Sequence, residues 1–468
     1  MGLMSAAQYR ASLRDGRVLF WAGQRVEDIE TDPRFEIPIK VALQDYAYED
    51  PERGPILTYE TKDGGRANRL YQVPRTSEDL LKRVELGRIL GEVGLVSGVF
   101  MAMLSIRDQL AAVNPQFADN VDRLYRLGRD GDLRAAQVIT DAKGDRSRKA
   151  NEQEDPDLYL RIVDRSAAGI TVRGAKLHIT GAALVHELVV MPTKAMSKEE
   201  ADYAVAFSIP VNTAGVKIIN RSFSQAGLND FDHPASAHAG VPDGFVIFDD
   251  VFVPWDRVFL AGEWQLAGVF AQSLGLWQRT MSVIGAAEQA EILVGLAQLV
   301  AEQQGKARDS HTQDVVAELI CYAQNVRMAV SYACAKFQTT PSGMVYPDVL
   351  AVNTAKYYFA ANYHQMIRNL HDIAGGLVMT LPLEADLRSN ETGGYLHKYL
   401  RAAPGVDVET RMRVFNLIRD LTADSFGGWN MITTLQSGGG LKAQRIMMNR
   451  SFDMKAARHK ALVKARAV

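Results

Sequence analysis

Residues 155–194 read DPDLYLRIVDRSAAGITVRGAKLHITGAALVHELVVMPTK, and this stretch decides the class of fold. Leu158–Val163, Ile170–Val172 and Leu188–Met191 are short apolar and β-branched runs set between small and turn-forming residues. Such runs, about four to eight residues long and bounded by turn signals, become strands. The pattern continues through Tyr203–Ile209, Val216–Ile219 and Phe245–Phe248. No helical period separates these runs, so a barrel or sandwich is expected rather than βαβ units. The expectation is a central β-barrel domain over 138–265.

Outward from that domain the period changes. Residues 1–137 read as an N-terminal helical domain. Thr76 with Asp79 is close to a capping box at the head of Thr76–Gly91, and Gly94–Val113 forms a second, apolar helix. Residues 266–468 read as a helical bundle and tail. Ala286, Ala290, Leu293, Ala297 and Val300 recur at threes and fours. Ser310 with Gln313 suggests a capping box before Val315–Lys336, and further helices cover Leu350–Leu370 and Glu409–Ala423. The fold class expected is mainly α with a central β-barrel.

Composition narrows the function classes. Among 468 residues the formal net charge is −2, so no basic field favours nucleic acid or an anionic membrane. Cys321 and Cys334 are the two cysteines, too few for a four-thiolate cluster or a CxxC zinc site. The N-terminus has no secretory signal pattern, and no apolar run is expected to reach a membrane span of about 20 residues. A cytoplasmic protein is expected, with no metal, nucleic-acid or membrane partner.

Among the motifs, Gly438-Gly439-Gly440-Leu441-Lys442-Ala443 satisfies a dinucleotide-type glycine pattern. A dinucleotide fold needs a further strand and acid about 20 residues on, and only 25 residues remain after Ala443. A glycine-rich turn before a helix is the better reading. Thr140-Asp141-Ala142-Lys143-Gly144-Asp145-Arg146-Ser147 gathers a glycine, two carboxylates, two cations and a hydroxyl into one loop. It reads either as a solvated turn or as a cradle for a pyrophosphate and ribose. Thr180-Gly181-Ala182 reads either as a strand connection or as a turn that admits a planar ring. His233 and His238, near Asp230 and Asp232, lack a third ligand for a metal. These readings reach only a soluble helical and β protein able to hold a flat cofactor.

The segments TDAKGDRS (140–147), DPDLYLRIV (155–163), GITVRGAKLHITGA (169–182), HELVVMPTKAM (186–196), VIFDDVFVPWDRVFL (246–260), IAGGLVMTLPLEADL (373–387) and LKAQRIMMNR (441–450) resemble one flavoprotein family. It is the family of 4-hydroxyphenylacetate 3-monooxygenases and 4-hydroxybutyryl-CoA dehydratases. The resemblance implies an acyl-CoA-dehydrogenase-like architecture: N-terminal helices, a β-barrel and a C-terminal four-helix bundle through which subunits pair as a dimer or tetramer. It implies FAD between barrel and bundle, held by Thr140, Asp141, Ala142, Lys143, Asp145, Arg146, His178, Thr180, Gly181 and Ala182.

The departures from the family pattern matter as much. Where the dehydratases carry iron–sulfur ligands, this chain has Phe100, Leu104, Trp277 and Ile284; Met281, Gly285 and Thr434 replace other dehydratase groups. The hydroxylases' phenol-anchoring arginine pattern is also absent. The leading expectation is a two-component monooxygenase using molecular oxygen and reduced FAD from a separate flavin reductase, acting on a small aromatic or related substrate. His178 and Arg279 are the expected catalytic residues; Phe100, Leu104, Trp277, Met281 and Thr434 are the expected pocket. The rivals are a cluster-free oxidase, dehydrogenase or isomerase of an acyl-CoA thioester, and a catalytically decayed flavin-binding protein.

Overall fold

The computed structural model describes residues 2–61, 64–223 and 227–467. Ten strands form two sheets. In chain order they are β1 (Leu19–Trp21), β2 (Gln24–Arg25), β3 (Ala135–Val138), β4 (Arg161–Arg165), β5 (Gly169–Thr180), β6 (Glu187–Val190), β7 (Val205–Pro210), β8 (Val216–Arg221), β9 (Asp243–Pro254) and β10 (Val258–Ala261). One sheet runs β2-β1-β8-β9-β5-β4 and the other β10-β7-β6-β3. Among the described residues these are two open sheets, so the expected barrel is corrected to a two-sheet arrangement. The first sheet ends in the two-residue strand β2 and the bulged strand β4, and no ladder joins either edge to the second sheet.

The N-terminal segment is not purely helical. Leu19 pairs in parallel with Ile218, so β1 extends the central sheet from the far end of the chain. Three residues are too short a run for a periodic signal, which explains why the sequence does not reveal it.

β5 shows how sequence becomes register. Ile170, Val172, Gly174 and Lys176 point inward in strict alternation. An extra residue then interrupts the ladder: Lys176 pairs with Val246 but Ile179 pairs with Gly244. His178 adopts φ 58° at this bulge, and the shift turns Ile179 inward again. A second bulge on β9 places Asp250 at φ 53°, clamped by Arg173, whose Nε and Nη2 reach its carboxylate at 2.8 and 2.9 Å.

After three earlier helices (Ala6–Ser12, Glu36–Leu43 and Gly54–Leu57), four more follow: α1 (Ser77–Ile89), α2 (Glu92–Val96), α3 (Val99–Ala111) and α4 (Pro115–Gly131). Thr76 and Asp79 make both bonds of the capping box. Arg134, fully buried just before β3, ties these helices to the second sheet. It bonds the Asp132 carboxylate at 2.9 Å and the Asp45 carbonyl at 3.1 Å, and lies 4.1 Å over the Tyr46 ring. A buried cation is tolerated only with this degree of pairing.

The C-terminal part is a bundle of α5 (Ala267–Gln303), α6 (Ser310–Ala335) and α7 (Val349–Ala374), packed pairwise, with α8 (Val408–Thr422), α9 (Ser425–Gln436) and α10 (Leu441–Ser451) following. Ser310 is not a cap; Asp309 caps α6 by accepting from Thr312 N at 3.1 Å. Two stretches, Glu92–Ala111 and Trp264–Gln303, are long and apolar enough to cross a bilayer by composition, which corrects the expectation that none is. Of their apolar windows, 61% and 50% are buried inside the molecule, as core helices require.

Candidate functional site

The loop leaving β3 divides its residues between structure and surface. Asp141 is buried: its Oδ1 lies 2.7 Å from Lys176 Nζ and accepts from Leu160 N at 3.2 Å, while Thr193 Oγ1 donates to Oδ2. Thr140 binds strand β5 through its carbonyl, which accepts from Leu177 N at 2.7 Å. Gln153 then brackets Asp145, accepting from its N–H at 2.9 Å and donating to its carbonyl at 2.8 Å. A Cβ on Gly144, at φ 48°, would fall 2.3 Å from Gln153 Oε1, so a side chain here would push Gln153 off Asp145. Asp145 is exposed, and Ser147 holds its carboxyl below the usual range by donating a side-chain and a backbone hydrogen bond. Ala142 and Lys143 are half-buried and Arg146 is exposed; neither cation has a carboxylate partner among the described residues.

The second expected loop lies at the β5 end. His178 is exposed at its bulge, and Gly181 at φ 71° donates to Pro242 O at 2.9 Å. Ala182 is fully buried. Thr180 Oγ1 donates to Asp243 Oδ1 at 2.7 Å, and Trp429 Nε1 from α9 donates to Asp243 Oδ2 at 3.2 Å. Asp243 therefore ties sheet to bundle. The Trp429 ring packs at a 40° tilt 4.7 Å from Phe223 and 6.0 Å from Phe426, giving an aromatic group beside the Thr180–Asp243 pair.

Glu92, at the first position of α2, is half-buried and makes no hydrogen bond among the described residues. Burial pushes its carboxyl up to about 7, aided by the negative charges of Asp243 and Asp45. Asp45, fully buried, is raised to about 6 by burial, although Gly91 and Gly94 donate to it at 2.7 and 2.8 Å. Neither carboxylate nor Asp243 carries a sequence signal, because their partners lie tens to hundreds of residues away.

The expected pocket residues do not form one wall. Phe100 packs 5.1 Å from the Tyr71 ring, inside the N-terminal helices, and Leu104 is half-buried one turn on. Trp277 Nε1 donates to Ser105 Oγ at 3.4 Å, and Met281 packs against Gly87 of α1. Arg279, two residues from Trp277 and so roughly 200° around the helix, faces the other way. It donates to Gly438 O at 2.7 Å and Asn353 Oδ1 at 3.0 Å. Thr434 belongs to that second side, where its carbonyl accepts from Lys356 Nζ at 2.5 Å. Between the two sides runs a neutral seam: Gln137 donates to Gln278 at 2.5 Å, and Gln278 donates to Ser437 at 3.2 Å.

His233 lies with Asp420 and Asp424. Asp420 is committed to the loop, accepting from Ala235 N and Ser236 N at 2.8 and 2.7 Å. His238 pairs instead with Asp230 at 3.0 Å.

Helices, a two-sheet β unit and a long-helix bundle in this order define the acyl-CoA-dehydrogenase-like class. A glutaryl-coenzyme A dehydrogenase superposes on 95% of the chain with a TM-score of 0.51 at 14% identity, a likeness of fold alone. More narrowly, the chain belongs to the 4-hydroxyphenylacetate 3-hydroxylase family, whose N-terminal model matches residues 5–260 and C-terminal model residues 267–467. It is 31% identical over 422 residues to the 4-hydroxyphenylacetate 3-monooxygenase oxygenase component of Thermus thermophilus, covering 87% of this chain and 86% of that one. It is 30% identical over 488 residues to the 4-hydroxybutyryl-CoA dehydratase/vinylacetyl-CoA-Delta-isomerase of Clostridium aminobutyricum, covering 98% of both. The oxygenase component of a 4-hydroxyphenylacetate 3-monooxygenase complexed with FAD superposes with a TM-score of 0.90 at 28% identity over 98% of both chains.

Proposed function

We propose that the protein is the oxygenase component of a two-component flavin-dependent monooxygenase that hydroxylates a small aromatic or related organic substrate. The observation that carries this reading is the end-to-end match to an FAD-bound oxygenase component, at a TM-score of 0.90. When bound, reduced FAD from a separate reductase supplies the electron pair that activates molecular oxygen.

The residues fit such a guest. Lys143 and Arg146, without a carboxylate partner among the described residues, offer cations to phosphates. The backbone at Thr140, Ala142, Gly181 and Ala182 lets a ring approach, and Thr180 and His178 supply polar contacts. Asp141 acts from inside, by fixing the loop, and Asp145 does so from its outer bend. Trp277, Met281, Phe100 and Leu104 supply apolar bulk that keeps water away from the chemistry. Glu92 can hold a proton near neutral pH beside Asp243. Arg279 serves an anionic group on the far side of α5, where Thr434 holds Lys356 through its carbonyl.

A cluster-dependent dehydration is not part of this reading. Phe100, Leu104, Trp277 and Ile284 offer no sulfur or imidazole donor. The likeness to the Clostridium enzyme supports a second reading, redox or isomerase chemistry on an acyl-CoA thioester without a cluster. Exposed Ile292, Met328 and Ile432 on the bundle support a homo-oligomer, and two unpaired cysteines support a reducing, cytoplasmic setting.

The deciding experiment supplies the purified protein with FAD, a separate flavin reductase, NADH and a panel of phenols. Oxygen consumption matched by hydroxylated product supports the monooxygenase. Turnover of an acyl-CoA with no reductase, and none of any phenol, replaces it with the thioester reading. Binding of FAD without turnover of either kind leaves a flavin-binding protein.

A further inference from the structure

The three long helices of the bundle leave a gap where they meet. Thr280 and Val283 of α5, Ala329 and Cys334 of α6, and Val352 and Ala355 of α7 line it. The sequence makes this gap. Ala329 and Ala333 stand four apart on one face of α6, and Ala355 lies across from them, so methyl groups meet where larger side chains would close the space. The cavity measures about 10 Å³ as the space open to the centre of a water-sized sphere, room for one very small molecule.

Water is a poor guest there. A buried water needs about two to four polar partners, and the polar groups of this lining are spent or weak. Thr280 Oγ1 donates to Leu276 O at 2.9 Å, and the Ala333 carbonyl accepts from Asp348 N at 2.9 Å. Cys334 is 1% exposed, and burial pushes its thiol up to about 11, which keeps it neutral and a weak donor. The other side chains of the lining are valines, alanines and Pro347. An apolar cavity of this kind stays dry and takes an apolar guest. At this volume the guest is a small gas molecule, held by dispersion contacts that an empty gap forfeits.

Its position connects the gap to the proposed chemistry. Thr280 precedes Met281 in the chain and Val283 precedes Ile284. Met281 and Ile284 pack against Gly87 of α1, on the side of α5 where Trp277 reaches Ser105 of α3. The gap thus adjoins the apolar wall assigned above to excluding water, around the same helix. Ala329 and Val330 are half-buried and form its outer rim, while the rest of the lining is buried.

We infer that this gap is a docking site for dioxygen on its way past α5 to the flavin. The choice of gas rests on the monooxygenase reading; the capacity to hold one rests on the cavity.

The test uses the full-length protein with methyl-labelled alanine and valine, and dissolved dioxygen as a paramagnetic probe. The methyls of Val283, Ala333 and Val352 are expected to broaden several-fold more than those of Val172 and Val189, which are as deeply buried in the β unit. Pressurised xenon is expected to compete and remove that excess. Ala329→Val, which adds bulk at the rim, is expected to remove it too. In the same variant, reoxidation of bound reduced FAD by dissolved oxygen is expected to slow several-fold. Should Ala329→Val not fold, Val330→Ala enlarges the gap and must increase the broadening. Equal broadening of all buried methyls, no competition from xenon, or unchanged reoxidation in Ala329→Val overturns the proposal. Hydroxylation of phenols is read separately. Selective broadening without hydroxylation upholds the gas site and removes the monooxygenase reading, whereas hydroxylation without selective broadening does the reverse.

Discussion

Lys176 Nζ lies 2.7 Å from Asp141 Oδ1, with the two side chains 3% and 2% exposed, and the pair joins the loop after β3 to the interior face of β5. Lys176 also donates to the carbonyls of Ile139 and Met191, each at 3.0 Å. The acid that sequence reading offers to a ribose is thus spent inside the protein. It presets the loop that presents Lys143 and Arg146.

Asp141→Ala therefore strands a buried ammonium. The expected cost is about 3–5 kcal/mol, measured by urea unfolding, with flavin affinity falling as the loop loosens. Asp141→Leu combined with Lys176→Met is expected to recover most of that stability, because both charges leave together. Recovery of stability without recovery of flavin affinity would separate the loop's shape from its bare presence.

His178 sits at φ 58°, where an L side chain costs roughly 1–2 kcal/mol. His178→Gly is expected to hold or raise the melting temperature, whereas His178→Val, with its branched Cβ, lowers it. If the imidazole serves the cofactor, His178→Gly still loses activity in a protein that is no less stable. Unchanged turnover in that variant removes His178 from the site.

Thr180→Val keeps the shape but withdraws one of the two side-chain donors on Asp243. A loss of about 1–3 kcal/mol in stability is expected for an acceptor left short of its partner. Weaker FAD binding should accompany it, read by fluorescence titration. Stability loss alone would make the Thr180–Asp243 pair a purely structural tie.

Glu92 gives a pH signature. Its folded carboxyl is raised from 4.5 to about 7, so between these values the folded state holds a proton that the unfolded state has released. Stability then falls as pH rises through that window and stays lower above it. Glu92→Gln is expected to flatten this fall, gaining on the order of 1 kcal/mol at pH 8 and little at pH 4.5. Urea unfolding at both pH values checks it.

The change of period at the start of the β domain and the long helices after Ala267 were legible because each depends on spacing within one segment. The Thr76–Asp79 box was legible for the same reason. The barrel was not, since local runs reveal strands but not which edges meet. The site was partly legible: Thr180 stands where Asp243 and Trp429 tie sheet to bundle, whereas the 140–147 loop is anchored within the β unit by Lys176, Thr193 and Gln153. Asp243, Trp429, Glu92 and Lys356 were invisible. Their meaning lies in contacts such as Thr180 with Asp243 and Lys356 with Thr434, across 63 and 78 residues.

The parallel pairing of Leu19–Trp21 with Ile218–Asn220 has an outcome for biogenesis. An emerging chain cannot seat its first strand until some 200 more residues have left the ribosome, which at about 5–20 residues per second takes on the order of 10–40 s. During that wait the amino-terminal arm is a loose β-forming segment, open to capture by chaperones or by sister chains. Trimming it would leave the Val216–Arg221 strand as a bare edge, a template for aggregation in an otherwise finished molecule.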